Sequence, residues 1–160
     1  DARHLHAGVG GKILVDADAI PNVLKEILCR AAIREKITAT FVANQRTQLQ
    51  ASPFLKAIQV MSGFDVADDR IVELTEKDDL IITADIPLAK EVLDKGGYAL
   101  NPRGDFYDLG TIDAKLTMRD FNELLRGSGI QTKGPAPLSQ RDRQLFTNSL
   151  DRWLRDHHRA

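Results

Sequence analysis

Cysteine is nearly absent from this sequence. Cys29 is the only one in 160 residues, so an internal disulfide is excluded and a reduced, cytoplasmic setting is expected. Long hydrophobic runs are absent as well, and none approaches the roughly 18 apolar residues that a membrane helix requires. We therefore expect neither a disulfide-stabilised secreted domain nor a membrane-spanning protein.

An excess of charge of one sign is also missing. The 22 basic and 23 acidic side chains leave a formal net charge of −1. This balance excludes the strongly basic class of protein that binds nucleic acids through net charge alone. Aromatic residues make up only 6% of the chain, and no basic stretch is rich in them. A local basic groove on a neutral protein is still compatible with this composition.

What is present fits one domain. A length of 160 residues with 42% hydrophobic content supports a single sizeable core, and no internal repeat of the solenoid type is visible. Residues 1–11 carry two histidines and three glycines without an apolar period. We interpret them as a flexible extension or a cloning remnant. Residues 12–160 are predicted to form a single domain.

Strands and helices alternate along the first two thirds of that domain. Helical spacing predicts helices that begin at Pro21 and Pro87, with another at 66–76. This alternation indicates an α/β fold of parallel β-α-β units with right-handed crossovers. The run at 80–83 is apolar on both faces and is expected to be the central strand. β-rich apolar runs predict strands at 12–15, 38–43, 57–61, 80–83 and 98–100.

Beyond residue 110 the pattern becomes purely helical. Residues 112–125 predict one or two helices, and a Gly/Pro linker follows at 132–137. Ser139 is a suitable N-cap for a last helix, at about residues 139–157, whose apolar residues share one face. This helix either packs back on the domain or provides an oligomer contact, and the sequence leaves both open.

One acidic pattern occurs twice, each time where a predicted strand meets a helix. Asp16-Ala17-Asp18-Ala19-Ile20-Pro21 follows the first strand, and Thr83-Ala84-Asp85-Ile86-Pro87 follows the fourth. Ligands of open parallel sheets bind beyond the carboxyl ends of the strands, and neighbouring strands are only about 4.8 Å apart. Asp16, Asp18 and Asp85 should therefore converge and repel one another at neutral pH. Hard oxygen ligands suit Mg²⁺ or Mn²⁺, so the pattern predicts one metal site.

A simpler interpretation of these aspartates is helix capping. An Asp directly before a helix is a preferred N-cap, worth about 1 kcal/mol, and needs no metal. A third acidic stretch places Asp68 and Asp69 in the first turn of the helix at 66–76, where the helix dipole favours negative charge. Asp68 lies beside the apolar stripe and is the better site candidate, whereas Asp69 is expected in solvent. Asp78 and Asp79 precede a strand and are predicted to be turn residues at the opposite edge.

Several distinctive motifs occur in a fixed order along the chain. They are Val15-Asp16-Ala17-Asp18-Ala19, Phe41-Val42-Ala43-Asn44, Ile82-Thr83-Ala84-Asp85-Ile86-Pro87-Leu88-Ala89 and Leu100-Asn101-Pro102-Arg103-Gly104, continued by Arg119-Asp120 and Thr132-Lys133-Gly134-Pro135 to Arg143. Over roughly residues 12–154 this order resembles the YaiI/YqxD family of bacterial proteins. The resemblance implies a PIN-like fold, that is, a three-layer α/β domain with a parallel sheet and extra C-terminal helices. In that family a Cys usually follows the Asp-Ala-Asp-Ala segment, where this chain has Ile20.

Resemblance to PIN nucleases also assigns roles to the acids. It implies that Asp16 is the acid of the first strand, Asp68 the helix acid and Asp85 the acid of a Thr-x-Asp motif. Asp18 would be an additional carboxylate. A fourth acid is expected just after the next strand, where this chain has Asn101.

These observations favour a Mg²⁺- or Mn²⁺-dependent nuclease that acts on single-stranded or structured RNA. The expected catalytic and metal-binding residues are Asp16, Asp18, Asp68 and Asp85, and the metal would activate a water for attack on the phosphodiester. Arginines can bind phosphates with two parallel hydrogen bonds, and amides can orient water. The residues expected to contact substrate or water are Asn44, Arg46, Asn101 and Arg103.

Two alternatives from other classes stay open. A non-catalytic metal- or RNA-binding PIN-like protein would keep the acidic pocket without turnover, and the balanced charge and Asn101 favour it. A phosphatase of the haloacid-dehalogenase type would use Asp16 as its nucleophile and Asp18 as its acid/base. That phosphatase needs a later Lys at a strand end, and none is evident.

Overall fold

The computed structural model describes residues 11–63, 65–131 and 136–157. The predicted N-terminal extension lies outside the described residues except for Gly11, as does the linker segment 132–135. The strands are β1 (Ile13–Asp16), β2 (Ala39–Ala43), β3 (Leu55–Gln59), β4 (Leu80–Ile82) and β5 (Tyr98–Leu100). The helices are α1 (Asn22–Glu35), α2 (Val66–Leu74), α3 (Ile86–Asp94), α4 (Ile112–Gly127) and α5 (Gln140–His157). A 3₁₀ turn, Ala17–Ala19, follows β1.

The strands form one parallel sheet with the order β3-β2-β1-β4-β5. The central strand is β1, so the prediction that residues 80–83 occupy the centre was wrong, although β4 is still flanked by β1 and β5. The chain first builds outward from β1 to β3 and then returns to the other side of β1. The order of the strands therefore reverses between β1 and β4, and a crevice opens at their carboxyl ends.

Helices cover both faces of the sheet and give the predicted three-layer α/β architecture. The side chains of β1 alternate between two cores, because successive residues of a strand point to opposite faces. Ile13 and Val15 pack in the cluster that includes residues of α1 and α5. Leu14 packs in the other cluster, with residues of α2, α3 and the start of α4. All four residues of β1 are buried, as expected for the middle strand of a parallel sheet covered on both sides.

Both predicted proline starts lie within one or two residues of a helix start. Pro21 occupies the N-cap position of α1, one residue before the helix, and its carbonyl accepts the first backbone hydrogen bonds, from Leu24 and Lys25. Pro87 is the second residue of α3, whose N-cap is Asp85. These positions suit proline because the first turn of a helix has no use for its missing N–H group.

The last helix, α5, packs back on the domain. Ser139 and Asp142 form a reciprocal cap, in which the Asp142 N–H donates to Ser139 Oγ at 3.1 Å and the Ser139 N–H donates to Asp142 Oδ2 at 2.9 Å. The apolar face of α5, formed by Phe146, Leu150, Trp153 and Leu154, is fully buried. An oligomer contact through this helix stays a prediction. Across the described residues, no helix has the length and apolar character needed to cross a membrane.

The amino ends of β1 and β4 are tied together by a buried charge. Asp79 is 2% exposed and accepts hydrogen bonds from the backbone N–H of Lys12 at 2.9 Å and from Lys12 Nζ at 2.6 Å. Burial lowers the pKa of Lys12, but the hydrogen bonds and charges of Asp79 and Glu76 outweigh that effect and raise it. Asp79 lies at the predicted edge but is more than a turn residue, because it fixes the start of two adjacent strands.

Candidate active site

The candidate site lies where β1 and β4 end, at the point where the strand order reverses. Asp16 is the last residue of β1, and Thr83 directly follows β4. Parallel pairing of β1 with β4 brings Val15 opposite Ile82, so the two residues that come next emerge side by side. The topology therefore places the predicted acids in the crevice where open α/β sheets bind ligands.

Asp16 is a buried carboxylate held by a hydroxyl group. It is 6% exposed, and its Oδ2 accepts a hydrogen bond from Thr83 Oγ1 at 3.0 Å. Burial raises the pKa of Asp16, the Thr83 hydrogen bond opposes that rise, and the charges of Asp85 and Asp18 add to it. The direction of the shift shows that the negative charge of Asp16 is not fully compensated by the protein around it.

Asp85 is fixed by the start of α3. Its Oδ1 accepts a hydrogen bond from the Leu88 N–H at 2.9 Å, and its own N–H donates to Thr83 Oγ1 at 2.9 Å. The capping interpretation is therefore confirmed for Asp85. The cap occupies Oδ1 of Asp85, and the hydrogen bonds with Leu88 and Thr83 hold the Asp85 carboxylate beside Asp16 and Asp68.

Asp68 completes the group from the helix that precedes β4. It lies in the first turn of α2 and is half-buried, whereas Asp69 is exposed as predicted. Burial raises the pKa of Asp68 to about 7, and the charges of Asp85, Asp16 and Asp65 and a hydrogen bond with Asp85 add to the rise. We call Asp16, Asp68 and Asp85 the acid group.

Two neutral residues, Thr83 and Tyr107, position the acid group through hydrogen bonds. The Thr83 side chain is fully buried, and its hydroxyl bridges Asp16 and the backbone of Asp85. The Tyr107 hydroxyl donates to the Thr83 carbonyl at 3.4 Å. Burial, with the charges of Asp85 and Asp105, raises the pKa of Tyr107 to about 12. Sequence reasoning missed Tyr107, because it comes from the segment after β5 and carries no local motif.

Asp18 and Asn44 lie on the β2 side of the same edge. Asp18 is exposed, and its Oδ2 accepts a hydrogen bond from the Asn44 N–H at 2.7 Å. Asn44 Oδ1 is buried and has no hydrogen-bond partner among the described residues. An unpartnered buried oxygen is costly, so this atom marks a place where a cation or a donor group would be stabilised. Arg46 lines a cleft of about 320 Å³ together with Asp18 and Asn44.

The other two predicted substrate contacts have internal roles. Asn101 Oδ1 accepts hydrogen bonds from the N–H groups of Arg103 and Asp105, at 2.9 and 3.1 Å, and so shapes the turn after β5. The Arg103 guanidinium pairs with Asp142 at 2.7 Å and donates to the Ala136 carbonyl. The structure thus places Arg103 against the start of α5 rather than beside the acid group.

The chemistry of these donors fits a hard divalent cation, although they are not gathered around one point. Carboxylates and an amide oxygen are the ligands that Mg²⁺ and Mn²⁺ prefer. Within the described ranges, no group of three or more His, Cys, Asp or Glu side chains is close enough to hold a metal ion. Burial is the main cause of the raised pKa values of Asp16 and Asp68, and the charges of the neighbouring carboxylates add to it.

Comparison with known proteins gives one family and close relatives. The family described as "Uncharacterized BCR, YaiI/YqxD family" matches residues 14–156. A UPF0178 protein of Proteus mirabilis is 63% identical over 142 residues, which cover 89% of this chain and 94% of that protein. UPF0178 proteins of Shewanella amazonensis and Yersinia pestis are 62% and 59% identical over 143 residues, covering 89% of this chain and 96% and 94% of theirs. No solved structure matches the chain.

Proposed function

The chain belongs to the YaiI/YqxD family, and from the geometry of its acid group we propose that it is a metal-dependent nuclease that hydrolyses phosphodiester bonds in RNA. The observation that carries this proposal is that Asp16, Asp68 and Asp85 interact electrostatically at the crevice between β1 and β4. Three separate segments of the chain bring these carboxylates together, and burial, with the charges of Asp85, Asp16 and Asp65, raises the pKa of Asp68 to about 7. An arrangement that costs stability is typical of a functional site.

A divalent cation would bind favourably here, because it would relieve the repulsion among the three carboxylates. Mg²⁺ or Mn²⁺, when bound, lowers the pKa of a coordinated water and stabilises charge on the attacking and leaving oxygens. The residues proposed to hold it are Asp16, Asp68 and Asp85, with Asp18 and the Asn44 amide oxygen at the rim. Phosphodiester hydrolysis is the reaction proposed, because an acidic cation site next to unpaired basic residues suits a polyanionic substrate.

The protein contributes orientation and proton transfer. The Thr83 hydroxyl holds the Asp16 carboxylate at 3.0 Å, and the cap of α3 holds Asp85, so both acids keep fixed directions before any ligand binds. Asp68, whose pKa lies at about 7, can gain or lose a proton near neutral pH. Because Asp68 is also a proposed cation ligand, cation binding would displace this proton to water.

Substrate contacts are proposed mainly on the β2 side of the acid group. Arg46 is exposed and lines the cleft next to Asp18 and Asn44, where a phosphate can reach its guanidinium. Asn101 and Arg103 could contribute only after exchange of their present partners, since Asp142 already pairs with Arg103. We therefore assign the first substrate phosphate to Arg46 and give Arg103 a secondary role.

The test is cleavage of a labelled single-stranded RNA in Mg²⁺ or Mn²⁺ by the wild type, Asp16→Asn and Asp69→Asn. Asn keeps the hydrogen-bond acceptor for Thr83 but removes the charge, so Asp16→Asn should reduce the cleavage rate by about 100-fold or more. Asp69→Asn removes an exposed carboxylate near the site and should cleave like the wild type. Cleavage that survives in Asp16→Asn at the wild-type rate contradicts the proposal.

A second candidate, a non-catalytic metal or RNA binder, is favoured by one observation. The position of the fourth acid is occupied by Asn101, whose oxygen is used by two backbone N–H groups of its turn. Such a protein would retain cation binding at the acid group but would show no turnover. Binding of Mn²⁺ by the wild type, together with intact RNA after long incubation, would select this candidate over the nuclease.

A further inference from the structure

Three linked clefts begin at Asp18, near the acid group, and continue along the outer face of α1. The first, of about 320 Å³, is lined by Asp18, Lys25 and Arg46 among others. The second, of about 660 Å³, shares Lys25 and Arg46 with the first and extends to Arg30. The third, of about 350 Å³, shares Arg30 with the second and extends between α1 and α5 to Arg143. We call these three clefts the α1 groove.

Four of the five cations that line the α1 groove have no side-chain partner among the described residues. The side chains of Lys25, Arg30, Arg46 and Arg143 make no ion pair or hydrogen bond with another described residue. Arg34, which also lines the third cleft, is by contrast paired with Asp151 at 3.0 Å. The groove therefore holds a concentration of uncompensated positive charge on a chain whose net charge is only −1.

Acidic side chains neutralise this surface only in part. Glu26 lines the second cleft and is exposed, and Asp151 in the third cleft is already paired with Arg34. Asp18 stands only at the end that meets the acid group, where it accepts the Asn44 N–H. The charge along the groove thus changes from basic to acidic toward the crevice between β1 and β4, as expected for a path that delivers an anion to a cation site.

We propose that the α1 groove binds the sugar–phosphate backbone of a single-stranded nucleic acid and leads it to the acid group; this rests on the proposed function. Arg30 and Arg46 would each pair with a phosphate through two hydrogen bonds. Lys25 would act as a point charge between them. Amide side chains such as Gln48 and Gln50 line the same cleft and can bond to phosphate or sugar oxygens.

The shape and lining of the groove favour a single strand over a duplex. Each cleft has the volume of a pocket for a nucleotide-sized ligand, which a flexible strand can follow more closely than a rigid duplex. No aromatic side chain is found among the described residues that line the three clefts. Base stacking is therefore not expected to contribute, and binding should depend on phosphate contacts and show little base preference.

The test is fluorescence anisotropy with a short labelled oligouridine in EDTA, where metal-dependent cleavage is suppressed. The double variant Arg30→Gln/Arg46→Gln should weaken binding by about tenfold or more. It should also reduce the slope of log K against log salt by about 1.4, because each lost phosphate contact on a single strand contributes about 0.7. Arg152→Gln, an exposed cation outside the groove, is the matched control and should bind like the wild type.

The outcomes separate this inference from the proposed function. Equal losses in the double variant and in Arg152→Gln, or no loss in either, overturn the groove, as does tighter binding of a duplex than of single-stranded RNA or DNA. If RNA cleavage depends on Asp16 while the double variant cleaves with an unchanged KM, the nuclease proposal is supported and the α1 groove as a binding site is contradicted. If the double variant loses binding while the wild type shows no cleavage, the α1 groove is supported as a binding site and the nuclease proposal is contradicted.

Discussion

At the scale of single residues, the site depends on one hydroxyl group. Thr83 Oγ1 donates to Asp16 and accepts from the Asp85 N–H, so a neutral side chain positions both acids without neutralising either. A basic residue in this place would have lowered the pKa of both carboxylates and competed with a cation. The hydroxyl instead leaves the negative charge available to a ligand.

The protonation of Asp68 predicts a measurable dependence of stability on pH. Its pKa rises from 3.8 to about 7 on folding, so between these values the native state binds more protons than the unfolded state. The free energy of unfolding therefore falls as the pH rises through that window. In metal-free buffer, Asp68→Asn should be more stable than the wild type at about pH 8, by about 1 kcal/mol since the group is half-exposed, and equal to it near pH 4.

Urea denaturation across this pH range, with Asp69→Asn as the control, checks the prediction. Asp69→Asn removes a solvent-exposed carboxylate from the same turn and should leave the pH profile of the wild type unchanged. An Asp68→Asn variant that is less stable than the wild type at about pH 8 would show that this carboxyl group has a stabilising partner when charged.

Individual site residues were predictable to the extent that their position depends on the strand ends. Asp16 and Asp85 could be selected because parallel strands bring their carboxyl ends to one edge, and Asp68 because it lies beside the apolar stripe of its helix. The internal contacts of Asn101 and Arg103 could not be predicted, since they depend on a tight turn and on the ion pair with α5. Such contacts between distant segments leave no local pattern in the sequence.

At the scale of elements, the two C-terminal helices have opposite relations to the core. In α5 the apolar face is buried against the sheet, and Phe146 is 0% exposed. In α4 only Ile112 is buried, whereas Met118, Phe121 and Leu124 are more than half exposed. Both helices have a similar apolar period in the sequence, so periodicity predicted the helices but not which of them would be covered.

This difference predicts unequal effects of the same substitution. Phe146→Ala removes a fully buried ring and should lower the free energy of unfolding by about 3–5 kcal/mol. Phe121→Ala removes a ring that is 54% exposed and should change it by no more than about 0.5 kcal/mol. Chemical denaturation of both variants measures the contrast. A large loss for Phe121→Ala would mean that α4 is packed more tightly than its exposure shows.

The strand order illustrates a second limit of sequence patterns. The runs at 80–83 and 12–15 are both rich in apolar β-branched residues, and their composition cannot decide which strand lies in the middle. The order follows from the return of the chain to the other side of β1 after β3. The alternation of strands and helices, the parallel sheet and the three layers could be predicted, because each follows from local period and from the handedness of crossovers.

At the scale of the whole molecule, the two ends of the sheet differ in how their buried charges are compensated. At the amino ends, Asp79 is neutralised by Lys12 and fixes β1 against β4. At the carboxyl ends, the acid group has no basic partner among the described residues, and the α1 groove with its unpaired cations begins at the neighbouring Asp18. A chain of nearly zero net charge thus separates its charges in space, and composition alone could exclude only binding through net charge.

The measurement that tests the central claim most directly is calorimetric titration of Mn²⁺ into the wild type, Asp85→Asn and Asp69→Asn. Asn is a good N-cap, so Asp85→Asn should keep α3 intact while removing one charge from the acid group. We predict that the wild type and Asp69→Asn bind Mn²⁺ with the same affinity and that Asp85→Asn loses at least about tenfold. Absence of binding by the wild type, or equal binding by Asp85→Asn, would contradict a metal site at the acid group.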